Sequence, residues 1–90
     1  MPYIVKEMRT MIDQRATNVL SLVGQLYPGE LSYLLTQVVL HWINVDPRPD
    51  YARLASVSGV LTETLAELRR RVIVPYEEAR RQQNGDVFGS

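Results

Sequence analysis

"ELSYLLTQVVLHWI", residues 30–43, decides the fold. Leu31, Leu34, Leu35, Val38, Val39, Trp42 and Ile43 recur at three- and four-residue steps. That rhythm places them on one broad apolar face of a helix. Tyr33, Thr36 and Gln37 fall on its other sides. A strand would alternate with a period of two, and this segment does not. The helix is bounded by "YPGE" before it and by "NVDPRPD" after it, both rich in turn residues.

Working outward, "KEMRTMIDQRATNVLSLVGQL" carries Met8, Ile12, Val19, Leu22, Val23 and Leu26 at roughly helical spacing. Asp13 is suited to cap a new turn, so a short first helix is expected to break from a longer second one near "MIDQ". On the other side, Asp50 is a candidate N-cap for "YARLASVSGVLTETLAELRRRVIV". There Leu54, Val57, Leu61, Leu65, Leu68 and Val72 form a seam fit for another helix. Gly59 lies inside this segment, and close approach of a neighbouring backbone is the expected reason. Pro75 lacks the N–H a helix needs, so a kink or restart is expected there. "PYEEARRQQ" then forms a final segment that Asn84-Gly85 ends.

The fold expected is therefore all-α. It is a single domain over residues 1–90, more than half helical and without a sheet. N-terminal helices fill residues 1–27. A hairpin joins residues 30–43 to a Pro-kinked helix over 51–83, and a tail follows over 84–90. Val87 and Phe88 give that tail apolar residues that a free tail has no reason to carry, so it is expected to be ordered.

Composition removes several functions. Ninety residues with ten basic and ten acidic side chains give zero formal charge, so no global field draws the chain to nucleic acid or an anionic membrane. The absence of cysteine excludes disulfides, thiolate metal sites and a cysteine nucleophile. No run approaches the ~20 apolar residues of a membrane span, and "MPYIVKEMRT" has charges where a secretory leader is apolar. A soluble cytoplasmic protein is expected.

Catalytic machinery is also missing from the pattern. His41 is the only histidine and has no evident partner. Glu63 and Glu67 are one turn apart, without a histidine to complete a metal site. Neither an enzyme nor a cofactor or metal is expected.

The chemistry that remains gathers near Pro75. Arg70 and Arg71 precede it and Tyr76 follows it. Glu67 is one turn before the arginines and suited to hold one of them. Arg71, beside Val72, is expected to be half-buried and to need a partner, with Tyr76 and Glu77 as candidates. Asn84 and Asp86 reach back if the tail docks. Arginine offers a planar fork to phosphate, and tyrosine a face for a base.

"MPYI", "PGELSY", the Tyr51 and "SGVL" of the third helix, and "ELRRRVIVPYEEARRQQNGDVF" together resemble a family of short helical proteins found in phages and bacteria. The likeness spans nearly the whole chain. Gly29, Glu30, Leu31 and Tyr33 match its first motif. Gly59, Glu67, Arg70, Arg71, Pro75, Tyr76 and Glu77 match the third helix, and Asn84, Gly85, Asp86 and Val87 match the end. Ser32, Arg69 and Phe88 depart from it, standing where the family pattern has Asn, an aromatic residue and Tyr. The resemblance implies emphasis on these residues and carries no chemistry.

The leading expectation is a small oligomeric, non-enzymatic binding protein, phage-encoded in one version. It would hold a nucleotide-like or other anionic small molecule, sponge-fashion, or block a host protein. Arg70, Arg71, Tyr76, Asn84 and Asp86 form the expected site, supported by Glu67, Glu77 and Tyr33. The alternative is a structural or adaptor subunit acting through helix-mediated oligomerisation. Nucleic-acid binding ranks third. Self-association is expected in each of the first two readings, with Tyr3, Ile4, Val87 and Phe88 surplus to an internal core.

Overall fold

The computed structural model describes residues 3–89. The order is α1 (Lys6–Arg15), α2 (Thr17–Val23), α3 (Pro28–Asn44), α4 (Tyr51–Leu68), a π-helical turn (Arg69–Ile73) and α5 (Val74–Asn84). Of the described residues 78% are helical and none is in a strand. The all-α expectation holds.

The chain divides into two compact units, Met1–Val57 and Ser58–Ser90, with the division inside α4. In the first unit, α1 and α2 part at Ala16 and not near Asp13, which lies within α1. The cause is Thr17. Its hydroxyl donates to the carbonyls of both Asp13 and Gln14 at 3.0 Å, a back-bond that competes with the helical ladder. Asp13 thus takes part through its carbonyl and not as a cap.

α3 opens with Pro28 as its first residue, where a missing N–H costs nothing. Glu30 reaches back to accept the Tyr27 N–H at 2.9 Å, one arm of a capping box. "PGE" is therefore a helix start as much as the end of the preceding segment. Along α3, Thr36 donates to Ser32 O (2.9 Å), and His41 Nδ1 donates to Gln37 O (2.8 Å). The single histidine is tied to its own helix.

Two aspartates shape the turn to α4. Asp46 Oδ1 accepts from Arg48 N and Asp50 Oδ1 accepts from Arg53 N, each at 2.9 Å. The second bond makes Asp50 the N-cap of α4. Replacing Asp50 with Ala should cost about 1 kcal/mol. Chemical denaturation should show the lower midpoint with an unchanged slope.

Arg53 then joins the end of α3 to the first turn of α4. Its guanidinium lies 3.8 Å from the centre of the Trp42 ring and donates to the Trp42 carbonyl.

In the second unit, the Pro75 break is a π turn. Val74 N–H bonds to Arg69 O, five residues back, where an α-helix bonds four back. Pro75 has no N–H for the next carbonyl, and the wider turn gives its ring room. The helix therefore passes through the proline into α5. Gly59 differs from expectation too: a Cβ placed there meets nothing within 4 Å. No backbone approaches it.

None of the described residues is buried. The half-covered ones include Leu26, Leu34, Val39, Ile43 and Val57 in the first unit, and Glu67, Ile73 and Glu78 in the second. The seam residues Leu54, Leu61, Leu65, Leu68 and Val72 all stay exposed.

Candidate functional site

The residues that gather chemistry lie on the second unit, from Glu67 to Phe88. Glu67 and Arg70, three apart on one helical face, form a two-pronged pair. Arg70 Nε donates to Oε1 at 2.9 Å and a terminal nitrogen donates to Oε2 at 3.1 Å. The expected pairing is present, and it neutralises Arg70 with a residue of its own chain.

Arg71 departs from expectation. It is exposed, and no ion pair to it occurs among the described residues. Tyr76 does not face it. Tyr76 lies instead beneath Arg80, whose guanidinium carbon is 5.8 Å from the ring centre. That spacing is within cation–π range, one helical turn apart.

A compact set of bonds runs through the tail. Asn84 is the last residue of α5, and Gly85 follows at φ 85°, in the region glycine favours. Gly85 N–H returns to Arg81 O at 2.8 Å. Asp86 then bonds twice: Oδ1 accepts from Phe88 N at 2.8 Å, and Oδ2 lies 3.6 Å from an Arg81 terminal nitrogen. Arg81 also pairs with Glu78. Asp86 does reach back, as expected, but to Arg81.

This clasp does not fold Phe88 onto the last turn. Phe88 is 96% and Val87 91% exposed, so the ordered backbone presents both side chains outward. Glu77, Arg81 and Asp86 line the shallow hollow beneath them, about 400 Å³ in volume.

Tyr33 belongs to the first unit and to a different hollow, also about 400 Å³, with Leu22, Leu26, Gly29 and Leu34. The expected cluster of Arg70, Arg71 and Tyr76 is thus a row of three separate local arrangements. Arg53, which sequence reading passed over, is the side chain with the most specific surroundings. Its partner Trp42 lies across the interhelical turn, where no spacing rule reaches.

Among the described residues, no group of three or more His, Asp or Glu is placed to hold a metal ion. No described helix is long and apolar enough to cross a membrane. What the geometry defines is a small all-helical protein with apolar helix faces and an exposed apolar tip. The chain belongs to the DUF6899 family, a domain of unknown function, whose pattern matches residues 1–87. No curated protein and no solved structure matches it.

Proposed function

We propose that this protein works by association and not by catalysis, as a small helical adaptor or assembly subunit that docks through its apolar helix faces. One observation carries the reading. Large apolar residues recur on single helix faces, and no described residue is buried. Leu31, Leu35, Val38 and Trp42 on α3 share a face, and all four are exposed. Monomeric soluble proteins rarely leave a contiguous apolar patch of that kind uncovered. Several polar residues are engaged within the chain: Glu67–Arg70 and Glu78–Arg81 satisfy one another, and His41 is held by Gln37.

The test is solution mass. Light scattering at micromolar concentration, with helicity followed by circular dichroism, should report a dimer or larger assembly. A helical monomer overturns the reading.

A second reading, a ligand such as a nucleotide, is favoured by one feature. Arg69 and Arg71 lie within the π turn without ion pairs among the described residues, and arginine pairs readily with phosphate. A nucleotide panel screened by thermal shift should then raise the melting temperature of the parent protein but not of Arg71→Ala. No shift with any nucleotide removes this reading.

A further inference from the structure

The apolar face of the second unit has a property that selects its partner. Leu61, Leu65 and Leu68 on α4 and Val72 in the π turn are spaced four, three and four. That spacing reads the same in both directions. A second helix of the same sequence, turned end for end about a point between Ala66 and Glu67, therefore sets Leu65 opposite Leu68 and Leu61 opposite Val72. A two-fold interface requires such a self-complementary face. The four residues are 48%, 49%, 48% and 58% exposed in the order Leu61, Leu65, Leu68, Val72. The second unit is one helical run with a short tail and has no other element to cover them.

We infer that a second copy of this chain packs antiparallel on the Leu61–Leu65–Leu68–Val72 face. The inference rests on the association reading and names its partner and geometry.

Charge supports this choice.

Orientation follows from the basic run. A parallel pair would stack Arg69, Arg70 and Arg71 against their own copies. The antiparallel pair sets that run across Thr62, Glu63 and Thr64 of the other copy, which brings a carboxylate and two hydroxyls and no cation. Like charges brought together across an interface act against the parallel alternative.

The chain has no cysteine, which permits a clean test. Full-length Leu65→Cys and Leu68→Cys proteins are prepared separately and mixed at micromolar concentration in a glutathione redox buffer. Disulfides form only where Cβ atoms approach within about 4.5 Å. The antiparallel pair should yield the mixed 65–68 disulfide at least tenfold over either symmetric one, read by mass spectrometry. Leu61→Cys mixed with Val72→Cys provides a second pair with the same expectation, should one substitution disturb folding. Symmetric 65–65 and 68–68 products in the majority would overturn the orientation. An assembled protein that forms none of these disulfides would overturn the face while leaving the association reading intact. A monomeric parent protein would remove both.

Discussion

Arg53→Ala should lower the melting temperature by roughly 10 °C and change the emission of Trp42, the only tryptophan in the chain. The guanidinium has two roles that alanine cannot take. It lies over the indole face at 3.8 Å, where a partly desolvated cation–π contact contributes about 1–2 kcal/mol. It also donates to the Trp42 carbonyl at the end of α3, and a charged hydrogen bond adds about 1.5–3 kcal/mol. The two overlap, so about 2 kcal/mol is a fair sum, and a domain of this size loses ~4–8 °C for each 1 kcal/mol.

Arg53→Lys separates these contributions. Lysine keeps the charge but lacks the planar fork, so it should recover part of the ring contact and little of the carbonyl bond. Arg53 Nε has no partner and is shielded from solvent, a cost that substitution relieves. If Arg53→Ala melts within a degree or two of the parent protein, that relief outweighs the contacts. The clasp then contributes nothing to the first unit.

Arg53 also marks where sequence reading stops. α3 was legible because Leu31, Leu34, Leu35, Val38, Val39, Trp42 and Ile43 state their helical period without help from any other element. Asp50 and Gly85 were legible because a cap and a stop act within three or four residues. Glu67–Arg70 follows from the same short range. The break falls at Ala16, three residues beyond Asp13, where the Thr17 hydroxyl bonds the Asp13 and Gln14 carbonyls. Arg53 on Trp42 crosses an interhelical turn, and only the path of that turn brings them together. Residues 70–76 were legible as an interruption but not as a π turn. Whether a proline kinks a helix or widens it depends on backbone relaxation several residues away. In the structure Arg71 is exposed and Tyr76 lies by Arg80.

Pro75→Ala provides the larger test of that interruption, and its effect on stability should be favourable. A proline inside a helix is ~3 kcal/mol worse than alanine because it lacks an N–H and its ring strikes the preceding turn. The π turn relieves the ring clash, as the Val74 N–H to Arg69 O bond shows, but it cannot restore the missing donor. Alanine at this position supplies that N–H, so the wider turn loses its reason to exist. Residues 69–73 should then tighten to α spacing, with the Val74 N–H moving from Arg69 O to Arg70 O. Taking up one residue rotates α5 by ~100° relative to α4. The gain should be about 1–2 kcal/mol, seen as a melting temperature higher by at least ~5 °C. Leu61, Leu65 and Leu68 precede the turn and keep their register, so the mixed 65–68 disulfide should survive. The position of Tyr76 and the tail should not: any activity that depends on Val87 and Phe88 should fall as stability rises. Amide exchange over residues 74–76 of the variant reads the rearrangement directly, through protection of the N–H that the substitution introduces. A variant that melts lower than the parent, with the Arg69–Val74 bond retained, would show that the π turn is imposed by side chains around it and that the proline merely fits there.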